Sequence, residues 1–405
     1  MRILVPNMET ATMPDTDLPQ HHYETRRIEL FAGTSVDTLI VFGYGSVLGA
    51  GTKSHGVMRY LTGWDSHEAT SLLIITQTST MLLVGSPFMV PSAQAKLQDI
   101  DIVDIPTANW GVYLKDHAHG SLGSIGFDEM PMAIYRGLEA NIDTQAIRTF
   151  DQNLAEMQLF KDEETIELHK LGATICDMLF ASLGDEIHQG KTSSEIQITL
   201  EATARLLGAD YCKTWLTVIP CADYPRYWPE EGARIPQAGD QVLFGIALTV
   251  AGNWAHGIRM GSIGPATPVQ TKLWQCAADM LQAGIESLKP GNPLRTCGDE
   301  MNRVLAEHYT HDEISQMVRF RAGHGLGTTY EDTLITANFP QYFGNAAPSS
   351  LNVNSDLTVQ PGMLLELHPG FFLPDVGGAA IGEMILMTDT GPECLITHPT
   401  DYMEL

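Results

Sequence analysis

The sequence predicts an α+β protein of two domains, and three observations support this. The chain has 405 residues, enough for two units that each bury a core. From Thr38 onward, apolar β-branched runs broken by Gly, Ser and Thr have the look of strands, and a helical pattern takes over near residue 160. Beyond that point helices and strands follow in irregular order, unlike the βαβα alternation of a doubly wound sheet. The expected division is 1–158 for an N-terminal α/β domain and 159–405 for a C-terminal α+β domain.

Residues 1–20, polar and proline-containing, read as an arm. DTLIVFGYG, RYLTGW and SLLIITQTSTMLLVG read as strand-like stretches of a small mixed sheet, and residues 93–157 alternate helical stretches with short apolar runs. In KDEETIELHKLGATICDMLFASL (161–183), Ile166, Leu168, Leu171, Ile175, Met178 and Leu179 recur at helical spacing behind an acidic first turn. A second packing helix, SSEIQITLEATARLLG (193–208), opens on Ser193 and Ser194 with Glu195 close behind. TWLTVIP, QVLFGIALTVAGNW and GMLLELHPGFFLP then read as strands, interrupted by helical WQCAADMLQAGIESL and CGDEMNRVLAEHY.

Composition narrows the function. With 23 Lys+Arg against 49 Asp+Glu, the net charge of −26 argues against nucleic acid or an anionic membrane as partner and gives cationic ligands a long-range advantage. No apolar run is long enough to cross a bilayer, and the first residues do not read as a signal peptide. Six scattered cysteines without a CxxC pair fit reduced, mostly buried thiols and a cytoplasmic location. A GxGxxG following a strand and a GxxxxGK[ST] loop are both absent.

Six segments, in order, resemble the creatinase/aminopeptidase P/methionine aminopeptidase family. They are RYLTGW (59–64), KDEETIELHKLG, AGDQVLFGIALTVAGNWAHGIRMG (238–261), FRAGHGLGTTYED (320–332), QPGMLLELHPGFFLP (360–374) and GGAAIGEMILMTDTG (377–391). The resemblance implies a creatinase-N-like α/β domain followed by a pita-bread catalytic domain. It also implies a homodimer in which first-domain residues around Tyr60 or Trp64 complete the partner's pocket.

Family members usually hold two metal ions with two aspartates, one histidine and two glutamates, which ionise a shared water. Carried onto this chain, the first aspartate position falls on Gly245 and the second on His256, with Arg259 following. The histidine is kept as His324, the first glutamate position falls on His368, and the last falls on Gly382 or Glu383. His256, His324, His368 and Glu383 would form a donor set for one zinc, iron, nickel or manganese ion rather than two. The alternative is a metal-free site like that of creatinase. Glu366, two residues before His368 and on the same side of a strand, rivals it as support or ligand.

The family's peptidases use two further histidines that this chain lacks. CADYPRYWPEEG (221–232) offers Arg226, Tyr227 or Trp228 in place of one, and Glu331 stands in place of the other. Tyr227, Trp228, Trp254 and Tyr330 are aromatic, while Asp223, Glu331 and Asp332 are acidic. Lining a cleft, they would suit a small cation; the plainer alternative is core aromatics and solvated carboxylates. Glu331 is the candidate general base or acid, and Arg226 or Arg259 could bind a substrate carboxylate. The expected function is hydrolysis of a C–N bond in a small polar metabolite, cationic or zwitterionic. Alternatives are a lyase of the kind that acts on dimethylsulfoniopropionate by β-elimination, an inactive binding module, and an Xaa-Pro-type metallopeptidase.

Overall fold

The computed structural model describes residues 18–49, 53–223, 232–330 and 357–405. The chain divides into two compact units, one comprising residues 17–159 with 327–332, the other residues 160–326 with 333–405. The break falls between Leu159 and Phe160, and a short piece after the GHGLG segment returns to the first unit.

The first unit runs α1 (Gln20–Ala32), β1 (Thr38–Tyr44), α2 (Ser46–Gly49), α3 (Lys53–Thr62), β2 (Thr70–Thr76), β3 (Thr80–Val84) and α4 (Val90–Lys96), then β4 (Asp101–Asp104), α5 (Trp110–His117), β5 (Leu122–Ile125), α6 (Met132–Glu139), β6 (Arg148–Thr149) and α7 (Asp151–Leu159). Its mixed six-stranded sheet has the order β4-β3-β2-β1-β5-β6. Alternation along β1 and β2 gives each face its own core. Leu39, Val41, Leu73 and Ile75 pack with Leu30, Val57, Leu61 and Trp64. Ile40, Phe42, Leu72 and Ile74 pack with Trp110, Leu114 and Leu138 on the opposite face. Each such side chain contributes roughly 1.5–3 kcal/mol of burial. The mixed sheet is as the sequence implied, but RYLTGW is not a strand: Arg59–Thr62 close α3. Its Arg59, Tyr60, Leu61 run lacks period-2 alternation, so burying Leu61 against the sheet decides for helix. Trp64 is buried in this unit's own core with Nε1 donating to Ser92 Oγ at 2.9 Å, so it is not presented outward to a partner.

The second unit opens with α8 (Glu163–His188) and α9 (Ser193–Leu206), followed by β7 (Tyr211–Pro220), β8 (Asp240–Val250), β9 (Asn253–Ser262), α10 (Pro268–Ser287), α11 (Thr296–His308) and α12 (His311–Gln316). Then come β10 (Val318–Arg319), β11 (Gly323–Gly325), β12 (Leu364–Leu367), β13 (Gly370–Leu373), β14 (Gly377–Ala380), β15 (Glu383–Thr388), β16 (Gly391–Cys394) and β17 (Met403–Glu404). Asp162 caps α8 by accepting from Thr165 N, and Thr192 with Glu195 forms the capping box of α9. The strands make three sheets, ordered β17-β9-β8-β7, β11-β12-β15-β16 and β10-β13-β14.

Register in the first of these sheets determines what faces the site. Residues opposed across an antiparallel pair share a face, so Trp215, Gly245 and Ile258 form one row, and Lys213, Ala247 and His256 form the next. The other face carries Ala255, Gly257 and Arg259 and packs on α8, where Gly172 lies against Ala255 and Phe180 against Gly257. Ile258 also bridges to Gly382, each N–H donating to the other's carbonyl at 3.2 and 2.9 Å. That bridge joins the β9 sheet to the approach of β15.

Candidate active site

Four buried side chains carried by three strands meet on the inner face. His256 comes from β9, His324 from β11, and Glu366 and His368 from β12 and the residue after it. His324 and Glu366 are directly opposed across β11 and β12, which puts them side by side on one face. Gly323 makes that approach possible, since a Cβ there would stand 2.1 Å from the Glu366 carbonyl oxygen. His368 lies two residues beyond Glu366 and shares its direction.

The imidazoles converge on one carboxylate oxygen. Glu366 Oε2 is 2.5 Å from His256 Nδ1, 3.0 Å from His324 Nε2 and 3.6 Å from His368 Nε2. The ring centroids of His324 and His368 are 5.1 Å apart, and His256 is 5.9 Å from each. Burial works to raise the Glu366 carboxyl, yet its close contacts with His256, His368 and His324 outweigh that and hold it well below the usual carboxylate range. Burial lowers His324 and drives His368 far below the ordinary histidine value. Glu366 is therefore the anion, and His324 and His368 are neutral near pH 7.

Neutral imidazoles offer lone pairs, the form that binds metal. His324 Nδ1 lies 3.0 Å from the Gly325 carbonyl, a contact that requires an N–H there and turns the Nε2 lone pair toward the Glu366 carboxylate. Two acceptors at 3.0 Å would be relieved by a cation at their meeting point. Neither ring nitrogen of His368 makes a hydrogen bond among the described residues, although the side chain is buried. His256, His324 and Glu366 bring one ligand atom each within 4.8 Å of one another. This donor set fits one divalent ion of the zinc, iron, manganese or nickel kind.

Glu383 and Arg259 are placed elsewhere. Glu383 opposes Leu367 on β15, one residue out of phase with Glu366, and therefore faces away from the cluster. Its Oε2 accepts from Arg259 Nη2 at 3.0 Å, and its Oε1 accepts from Met384 N and Ile396 N. Burial pushes its carboxyl up to about 7 even beside Arg259. Arg259, three residues from His256 on β9, lies fully buried on the helix side over the Phe180 ring. Its other hydrogen bonds go to the carbonyls of Ile258, Gly382, His398 and Pro399. It is a structural arginine and not a fork for a substrate carboxylate. The one-residue ambiguity resolves geometrically: Gly382 faces the site, where a Cβ would stand 2.6 Å from Glu366 Oε1.

Trp254 shares the inner face of β9 with His256, buried, its ring 5.7 Å from that of Tyr211. Tyr330, half-buried, belongs to the first unit. Arg226, Tyr227, Trp228, Glu331 and Asp332 lie outside the described residues. Sequence reasoning missed Trp215, whose ring stands 6.1 Å from that of His256, edge to face. Its signal was its place opposite Gly245, where no side chain intervenes.

Residues 167–389, more than half the chain, match metallopeptidase family M24, and residues 29–157 match the creatinase/prolidase N-terminal domain. The chain belongs to metallopeptidase family M24. An uncharacterized peptidase of Bacillus subtilis, YqhT, is 20% identical over 373 residues, covering 90% of this chain and 98% of its own. Creatinase from a Bacillus species is 22% identical over 293 residues, 69% of this chain and 67% of that protein. A recombinant prolidase from Thermococcus sibiricus superposes with a TM-score of 0.76 at 16% identity, over 96% of this chain and 100% of its own, which shows a common fold. The M24 chain thus has the two-domain, pita-bread architecture that its sequence resembles. No helix among the described residues of this M24 member is long and apolar enough to cross a membrane, and all six cysteines are unpaired.

Proposed function

We propose that the chain is a hydrolase cleaving a C–N bond in a small polar substrate, cationic or zwitterionic, at a centre built on His256, His324 and His368. The observation that carries the reading is the convergence of three buried imidazoles on one carboxylate oxygen, at 2.5, 3.0 and 3.6 Å. Membership of an M24 family whose relatives include creatinase and peptidases supports hydrolysis. The absence of histidine from CADYPRYWPEEG and the presence of Glu331 at the second position argue against an Xaa-Pro peptide as substrate.

One zinc, iron, manganese or nickel ion held by His256, His324 and His368 would supply a Lewis acid and an acidic bound water. The chain's own residues orient and carry protons. The Gly325 carbonyl fixes the His324 tautomer, and Glu366, kept ionised, holds the His256 ring by its Nδ1. Glu366 is too acidic to serve as the base, so the proton carrier in this reading is Glu331. It takes a proton from water as the oxygen bonds to carbon, then returns it to the departing nitrogen as the C–N bond breaks. Tyr227, Trp228 and Trp254 are proposed to face the substrate cation, with Arg226 on a carboxylate if the substrate carries one. A homodimer belongs to the same proposal.

A metal-free version of the site is a second reading. It is favoured by the 2.5 Å contact of Glu366 Oε2 with His256 Nδ1, through which an imidazole N–H can hold the carboxylate without an ion. Elemental analysis of protein purified without chelators separates the two, the first requiring about one ion per chain. Screening turnover of guanidino, amidine and quaternary ammonium compounds tests the reaction, and product analysis distinguishes hydrolysis from β-elimination, which consumes no water. His324→Ala is expected to abolish turnover; activity retained in that variant overturns the site.

A further inference from the structure

We infer that Glu366 is the carboxylate ligand of the centre, and that the bare α-carbon of Gly382 is what admits it. The inference rests on the proposed metal centre but not on the reaction assigned to it.

Glu383 and Glu366 are the two carboxylates close to the histidines along β12 and β15, and strand phase separates them. Glu366 opposes His324 and Met384, while Glu383 opposes Leu367 on the other face and is engaged by Arg259 and two backbone N–H groups. Glu366 is fully buried, and neither of its oxygens is satisfied by a donor other than the imidazoles among the described residues. A carboxylate in that state demands cations or strong donors on every side. The His256 and His324 nitrogens meet it at 2.5 and 3.0 Å.

Gly382 supplies the space. A Cβ there would sit 2.6 Å from Glu366 Oε1 and 2.8 Å from the Ile258 N–H nitrogen, which is committed to the Gly382 carbonyl. Side chains at 366 and 382 therefore compete for one volume, and this chain fills it from position 366. Three imidazole nitrogens with one carboxylate oxygen suit a single ion of borderline character, such as Zn²⁺ or Co²⁺, over a pair of hard cations.

The test compares Zn²⁺ and Co²⁺ binding by the full chain and its Glu366→Gln, Gly382→Ala and Glu383→Gln variants. It uses elemental analysis after dialysis, metal titration, and the visible absorption of the Co²⁺ form. The wild type should hold about one ion per chain. Glu366→Gln, isosteric and able to keep hydrogen bonds, should weaken binding by roughly 10–100-fold and alter the Co²⁺ spectrum. Gly382→Ala should do likewise without touching a ligand, whereas Glu383→Gln should bind as the wild type does. Two ions per wild-type chain, no ion at all, or loss of metal in Glu383→Gln with retention in Glu366→Gln would each overturn the assignment. Metal binding as predicted with no C–N hydrolysis would sink the proposed reaction alone.

Discussion

His169 offers a clean measure of how the second unit resists acid. It lies fully buried on α8, and its Nδ1 donates to the Trp254 carbonyl at 2.8 Å, tying the helix to the strand that carries His256. Burial, reinforced by the charge of Lys161, pulls its pKa down to about 3. The unfolded chain titrates near 6.5, so between pH 6.5 and 3 the unfolded state binds the extra proton and the folded state does not. The stability associated with neutral His169 is complete above about pH 6.5 and is lost as pH falls, at about 1.4 kcal/mol per unit. By pH 5 the loss is about 2 kcal/mol, and at pH 3 about 5 kcal/mol. His169→Asn keeps an N–H for the Trp254 carbonyl but cannot titrate. At pH 7.5 it should lie within about 1.5 kcal/mol of the wild type. Between pH 7.5 and 5 the wild type should lose about 2 kcal/mol more than the variant, an extra urea-midpoint shift of about 1 M for a slope near 2 kcal/mol/M. His324 and His368 titrate in both proteins, so their contribution cancels in the comparison. Parallel loss of stability in the two proteins would refute the assignment of a neutral, buried His169.

Glu383→Ala should leave metal content unchanged and lower stability by about 3 kcal/mol, because it strands a buried guanidinium. For a unit of this size that is a drop of about 6–12 °C in Tm, read by circular dichroism. Gly245→Asp should not restore a second ion; it buries a carboxylate beside Ile258 and Trp215 and should cost about 2–4 kcal/mol in urea unfolding, with elemental analysis still giving a single ion.

The fold was legible because the long helices and strands obey their own periodicities. α8 shows its apolar stripe over seven turns, whereas QVLFGIALTVAGNW, which reads as one strand, is broken at Ala251 and Gly252 into the end of β8 and the start of β9. RYLTGW misled because three apolar or aromatic residues in six carry no period, and only packing against the sheet chooses between helix and strand. That the three histidines meet in space was legible from segment order. Glu383 and Arg259 were not, because a loop slip of one residue reverses a strand's faces and no sequence pattern fixes the slip. Glu366 was visible only as a rival. Its role depends on an empty volume at Gly382, which is a property of three-dimensional neighbours and not of spacing.

Charge counting connects the geometry to the substrate. The ligand set that the resemblance implies, two aspartates, one histidine and two glutamates, would bring four negative charges to two divalent ions. The cluster here brings one, from Glu366, with His324 and His368 held neutral by burial. Two divalent ions would leave an excess of three positive charges in a buried site, a cost that no remaining ligand offsets. Two of the five ligand positions that the resemblance implies, Gly245 and Gly382, lie in one row with Trp215 and Ile258, and that row offers no charged donor. One divalent ion leaves an excess of one, which attracts the electron-rich atom of a substrate and repels a cationic group. In the proposed reading the cationic end of the substrate would then lie away from the histidines, on the aromatic side where Trp254 shares the inner face of β9. In the proposed reaction the C–N bond to be broken would fall between those two ends.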